Sequence, residues 1–208
     1  MQFNPHFLYN MLNTISLMAL EKGEDDVSDL LCKLGYMMRY SVKSPSLMVR
    51  FSDELRYIEA YIAAMQLRTN NAFRYEPDFD EQVLALTVPK FMLQPFVENA
   101  ILHGFSEDHE GAVYTLRITG RVEGDDAYFT VEDNGKGVDR QTIETLWSKG
   151  STGIGIANTN KRIQLYYGAN YGVSIHTEPA VGTTVTVHIA TEAPGATHAT
   201  AAPGAPRP

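Results

Sequence analysis

His6 stands in the run Gln2-Phe3-Asn4-Pro5-His6-Phe7-Leu8-Tyr9-Asn10, at the start of a helical pattern that Asn4 would cap and Pro5 would open. A neutral imidazole is a competent nucleophile near pH 7, its unperturbed pKa being about 6.5. His6, Asn10 and Asn13 share one helix face while Leu8, Leu12, Ile15 and Ala19 lie on another, so His6 is expected to face solvent. Further on, Gln94-Pro95-Phe96-Val97-Glu98-Asn99-Ala100-Ile101-Leu102-His103-Gly104 groups Glu98 and Asn99 on one side of a second helical pattern. Its apolar side is formed by Phe96, Ala100 and His103, or by Val97, Ile101 and Gly104. Asp133-Asn134-Gly135-Lys136-Gly137 follows a strand pattern, with Asn-Gly marking a turn and Gly137 leaving the backbone bare for a ligand. A carboxylate held at such a strand end accepts a hydrogen bond from an exocyclic amine, which adenine offers and guanine does not at the same place.

Gly150-Ser151-Thr152-Gly153-Ile154-Gly155-Ile156-Ala157-Asn158 runs into a helix, a composition that lets successive N–H groups and a helix N-terminus converge on phosphate oxygens. Asn158 and Arg162 lie one turn apart on that helix, within reach of the same phosphates. Gly182-Thr183-Thr184 opens the last strand pattern. Each stretch alone has a plainer reading, as a solvated helix, a hairpin turn or a flexible loop. The glycine run is not a dinucleotide fingerprint, because no strand pattern precedes it and no βαβ unit follows. A Walker A phosphate loop is absent from the sequence.

The elements that must position these residues fall into two groups. Asn4 to Leu20 and a second helix bearing Leu30, Leu34, Met37 and Met38 are joined by the turn Lys22-Gly23-Glu24-Asp25-Asp26 and make a helical hairpin. Two such helices cannot enclose a core alone, so a four-helix bundle with a second subunit is expected, the alternative being a hairpin folded back on its own second domain. Ser44-Pro45-Ser46 reads as a linker. Beyond it come a short strand (48–51), a helix capped by Ser52 with Asp53 and Glu54 in its first turn and ending near Arg68, a strand over 73–78, and a helix opened by Pro89. A hairpin of strands over 112–122 and 127–132, a long loop from Asp133 to Thr152, a helix over 154–167 and strands over 173–177 and 183–190 complete an α/β sandwich. The expected divisions are a hairpin over 1–45, a ligand-binding domain over 46–191 and a disordered tail over 192–208, rich in Ala, Pro, Gly and Thr.

With 208 residues and 44% apolar content the chain can bury a sizeable core, and a formal charge of −8 with a pI near 5.2 argues against a nucleic-acid partner. Cys32 is the single cysteine, so no internal disulfide is possible, and its apolar helical neighbours predict a core position. No apolar run approaches the roughly 18 residues that span a bilayer, and the first ten residues lack the order of a signal peptide.

Taken in order, the four later motifs resemble the GHKL ATPase superfamily, over roughly Met48 to Ala190. The resemblance implies a Bergerat-type α/β sandwich with a left-handed βαβ crossover and a mixed sheet, binding ATP with Mg²⁺. It implies that Asn99 holds the metal, Asp133 the adenine amine, Gly135 and Gly137 the base and the approach to the lid, Gly153 and Gly155 the phosphates, and that Thr183 supports Asp133. His103, in the same motif as Asn99, joins the nucleotide-binding set. The segment around His6 is similar to the phosphoacceptor box of the LytS/YesM class of sensor histidine kinases. Arg39-Tyr40-Ser41, Glu54-Leu55, the run Tyr57-Ile58-Glu59-Ala60-Tyr61, Tyr166-Tyr167-Gly168 and Tyr171-Gly172 also match that class, the YesM-like subgroup most nearly.

The resemblance implies autophosphorylation of His6, a homodimer, a response regulator receiver domain as partner, with AraC-type output, and a membrane-anchored parent whose sensor lies upstream. Many sensor kinases place an acid directly after the acceptor histidine. Phe7 stands there in this chain, with Asn10 at i+4, so Glu98 is the candidate base. The alternatives are a GHKL ATPase clamp that hydrolyses ATP, and a dimerisation module that senses ATP without transfer.

Overall fold

A computed structural model of the chain describes residues 5–43, 46–105, 113–139 and 154–192. Two antiparallel helices, α1 (Pro5–Glu21) and α2 (Asp25–Lys43), form the expected hairpin. Their seam is built from small residues: the buried Ser16 hydroxyl contacts the Ser28 carbonyl at 3.1 Å, the Ser28 hydroxyl at 2.9 Å and Cys32 Sγ at 3.3 Å, and Ala19 is buried beside it. Cys32 is nevertheless exposed, which corrects its expected place in the core: the close helix approach at Ser16 and Ser28 leaves its position at the rim. Met11, Ile15 and Met18 on α1, and Val27 and Leu34 on α2, also remain exposed, so the hairpin carries apolar surface that it does not bury itself.

The second helix packs on α3 (Phe51–Arg68), in which Phe51, Leu55, Ile58, Ile62 and Met65 recur at helical spacing and are all buried. That burial moves the helix start. Phe51 N–H donates to the Leu86 carbonyl at 2.8 Å and its ring is fully enclosed, so the helix begins at Phe51 with Arg50 before it. Ser52 therefore lies inside the first turn and is not the cap that its residue type predicts.

The strand β1 (Met48–Arg50) pairs antiparallel with β3 (Thr87–Pro89), an element the sequence does not announce, as is the single turn α4 (Glu81–Leu84). Pro89 thus closes a strand and does not open a helix. The backbone then passes through Phe91 at φ 58°, and α5 (Gln94–Asn99) starts only at Gln94. The remaining elements are β2 (Phe73–Phe79), β4 (Tyr114–Glu123), β5 (Asp126–Asp133), α6 (Ile154–Tyr167), β6 (Gly172–Glu178) and β7 (Gly182–Ala190), close to their expected bounds. The sheet has the order β2-β4-β5-β7-β6, with β2 and β4 parallel and the other pairs antiparallel.

Strand alternation gives the sheet one apolar face. Leu116 and Ile118, Ala127, Phe129 and Val131, and Val185, Val187 and Ile189 are buried in a core they share with residues of α3, α5 and α6. On the other face Arg117 pairs with Glu76 at 2.8 Å and Arg121 with Asp78. β2 is an edge strand and carries Pro77 between Glu76 and Asp78. The expected linker residues Ser44 and Pro45, the glycine run up to Gly153 and the tail from 193 on lie outside the described residues.

Candidate functional site

After α5 the helix continues through Ala100–Gly104 as a π turn, closed by Phe105 N–H donating to the Ala100 carbonyl at 3.2 Å. Such turns are uncommon and occur frequently at functional sites. Phe96, Val97, Ala100 and Ile101 are buried, so the first two members of both expected stripes face inward, whereas His103 is exposed, Gly104 is half-buried and Asn99 lies on the exposed side.

Asp133 ends β5 with only 8% of its surface exposed. Its carboxylate accepts Gly135 N–H at 2.9 Å, and the Thr183 N–H of β7, the strand that pairs with it, also favours the charged form. Burial raises the Asp133 pKa, the two N–H donors pull it back, and neighbouring Glu132 adds a small upward push. The turn beyond Asp133 is fixed against the π turn, because Lys136 N–H donates to the Gly104 carbonyl at 2.8 Å. Both glycines of this turn are required by contact. A Cβ on Gly135 would stand 2.2 Å from the Gly104 oxygen, and one on Gly137, whose φ is +59°, would stand 2.1 Å from the Glu178 oxygen. Thr177 Oγ1 accepts Val138 N–H at 3.0 Å and lies 3.2 Å from the Thr183 hydroxyl.

These groups enclose a cavity of about 260 Å³. Its apolar walls are Phe96 and Ala100 from α5 and the π turn, Val131, Ile175 and Val185 from the sheet, Val138 and, from α6, Ile156. Asp133 and Thr183 supply polar groups, and Asn99 and His103 line it from the π turn side. An apolar cavity holding one buried carboxylate suits a heteroaromatic base that presents an exocyclic amine.

Asn99, His103, Asp133, Gly137 and Thr183 therefore meet in one cavity, with Gly135 holding the carboxylate from behind. Other candidates lie elsewhere. Gly155 faces Pro95, where an added Cβ would sit 3.3 Å from the proline Cβ, so it serves helix packing. Asn158 is exposed and is not a lining residue. Arg162 Nη2 donates to the Phe91 carbonyl at 2.9 Å and does not line the cavity. Glu98 accepts Gln94 Nε2–H at 2.6 Å. Gly153 lies outside the described residues. His6 is exposed on α1, with Asn10 Nδ2 3.4 Å from its Nδ1. The sequence reading had no place for the apolar walls. Ile156, Ile175 and Val185 were legible only as core-facing positions of a helix and two strands, and nothing local marks them as lining a site.

Comparison with known proteins adds an independent line. A family model described as "Histidine kinase" matches residues 1–73, and one described as "Histidine kinase-, DNA gyrase B-, and HSP90-like ATPase" matches residues 88–193. The chain is 32% identical over 188 residues to "Sensor histidine kinase YesM" of Bacillus subtilis (strain 168) and 31% identical over 196 residues to "Sensor protein LytS" of the same strain. In each case 90% of this chain is matched, and it spans 32% of the relative's length. Among solved structures, a histidine kinase domain from Erythrobacter litoralis EL346 aligns with TM-score 0.52 at 16% identity, over 90% of this chain and 86% of that one. Acinetobacter baumannii histidine kinase AdeS aligns with TM-score 0.53 at 15% identity, over 88% and 95%. At such identities the structural matches speak for the fold.

Proposed function

The chain belongs to the histidine kinases built on a histidine kinase-, DNA gyrase B- and HSP90-like ATPase domain, and from that premise we propose that it transfers the γ-phosphoryl group of ATP to its own His6. The observation that carries the reading is the Asp133 cavity, an apolar slot with one buried acceptor, in the same chain as an exposed histidine on a separate hairpin.

Asp133, in its ionised form, accepts the adenine amine, and the apolar walls hold the ring. Asn99 would hold Mg²⁺ through its carboxamide oxygen, a hard donor on the cavity wall. The ion supplies neutralisation of phosphate charge when bound. Asn158 and Gly153 are proposed to act on the phosphates, and Arg162 only after leaving its Phe91 contact. Phosphoryl transfer has a loose transition state, so alignment is most of what the protein must provide. An Asn10 carboxamide turned with its oxygen toward His6 Nδ1 would keep the ring proton there, so that Nε2 carries the attacking lone pair. Attack by Nε2 forms the N–P bond as the bond from phosphorus to the bridging oxygen breaks, and ADP leaves. Glu98 is the proposed acceptor of the Nδ1 proton, and normal turnover in Glu98→Gln would remove that role.

The hairpin (1–45) and ATP-binding domain (46–191) are proposed as separate units, ahead of a tail over 192–208. The functional state is a homodimer, the downstream partner a receiver domain of a response regulator with AraC-type output, and the parent protein membrane-anchored with this region in the cytoplasm. No described helix is long and apolar enough to cross a membrane. Incubation with γ-labelled Mg-ATP should leave acid-labile, alkali-stable label on the chain. His6→Gln should abolish that label yet preserve nucleotide binding; label persisting on the variant refutes the assignment.

A further inference from the structure

Glu54 is fully buried in α3, yet the cavity does not use it. One carboxylate oxygen accepts both the Tyr40 hydroxyl of α2 and Phe91 N–H at 2.8 Å; the other accepts Leu93 N–H at 3.3 Å. We infer that Glu54 is a positioning residue for phosphoryl transfer, fixing the acceptor hairpin and the turn that opens the nucleotide-binding helix in one arrangement.

The inference rests on the kinase reading above and on what converges at this carboxylate. Phe91 adopts φ 58°, a conformation rare for a residue with a bulky side chain, and is held from both sides, its N–H by Glu54 and its carbonyl by Arg162 of α6. The Lys90 ammonium lies 4.8 Å from the Tyr40 ring centre and 5.0 Å from that of Phe91, and donates to the Ser41 carbonyl at 3.4 Å. A second thread runs parallel to the first. Gln94 Nε2, at the head of α5, donates to the Tyr57 hydroxyl at 3.0 Å and to Glu98 at 2.6 Å.

The hairpin register completes the geometry. Ser16 faces Ser28 and Cys32, and His6 lies ten residues before Ser16; ten residues beyond Ser28 and Cys32 are Met38 and Val42. The acceptor is thus level with the stretch of α2 that contains Tyr40. Glu54 consequently joins the hairpin segment beside His6 to the backbone leading into the helix of Asn99, five residues after Gln94. The Tyr40–Glu54 bond reaches the hairpin and lies off the cavity, so its loss acts on transfer more than on binding.

The test uses the full chain, with Tyr40→Phe to remove only the hydroxyl and Glu54→Gln to replace one acceptor oxygen by an amide nitrogen. Affinity for a fluorescent ATP analogue and the single-turnover rate of His6 labelling are measured on each, with thermal melts as a fold control. Tyr40→Phe should bind the analogue within two-fold of the wild type and label His6 at least ten-fold more slowly, and a folded Glu54→Gln should do the same. A Tyr40→Phe rate within two-fold of wild type overturns the inference, as does an affinity that falls in step with the rate. Should Glu54→Gln fail to fold, Tyr40→Phe decides. Absence of label on the wild-type chain would instead overturn the kinase reading itself, and the inference with it.

Discussion

Asp133 illustrates how one carboxyl serves opposing demands. Burial holds its pKa above the usual aspartate value, so the folded chain binds that proton more tightly than the unfolded chain does. The linked stability is complete below the unfolded pKa and is lost as pH rises through the folded one, so at neutral pH the ionised group costs the fold something. Nucleotide binding has the reverse requirement, because only the carboxylate accepts an amine without a competing proton. Two outcomes are expected. Calorimetric titration with an ATP analogue should show affinity falling on acidification earlier than an unperturbed aspartate would cause. Asp133→Asn should weaken binding about 10- to 100-fold at pH 7, the worth of a hydrogen bond to a charged group, without lowering the melting temperature.

At the scale of elements, the site depends on the π turn and the Asp133 turn touching through backbone. Gly135→Ala would drive a methyl into the Gly104 carbonyl and break the Lys136 N–H bond. Thermal melts should report a loss of about 2–3 kcal/mol, together with weaker nucleotide binding. The chemistry-bearing residues of the cavity were legible from type and order, since Asn99, Asp133 and Thr183 each sit in a short motif. What escaped was set by tertiary context. Pro89 has the local character of a helix start, and only its pairing with Met48 keeps it in a strand. Ser52 reads as a cap until the enclosure of Phe51 claims the first turn. Glu54 reads as a first-turn acid suited to a helix dipole. The same helix nevertheless gave a hint, because Glu54 falls on the stripe of Phe51, Leu55 and Ile58, which predicts burial. Arg162 shares a helix face with Asn158 in sequence, yet its guanidinium is taken by Phe91, whose unusual backbone angle no periodicity could reveal.

At the scale of the molecule, the hairpin presents Met11, Ile15 and Met18 as a spaced apolar line on α1, with Val27 and Leu34 on α2. Their spacing of three, four and seven is that of a helix-bundle seam. Ile15→Glu combined with Met18→Glu should therefore convert a dimer to a monomer in sedimentation equilibrium, leaving affinity for an ATP analogue unchanged because neither residue lines the cavity. Association through the hairpin would hold two catalytic domains on one stalk at a high mutual concentration. Each domain ends its sheet at β2, an open row of backbone groups that invites another strand. Pro77 removes one donor from that row, and Glu76 and Asp78, each paired with an arginine of β4, line it with charged side chains in place of apolar ones. The edge is thus a poor template for a second copy of itself, so that two domains held close on one stalk would stay separate folds.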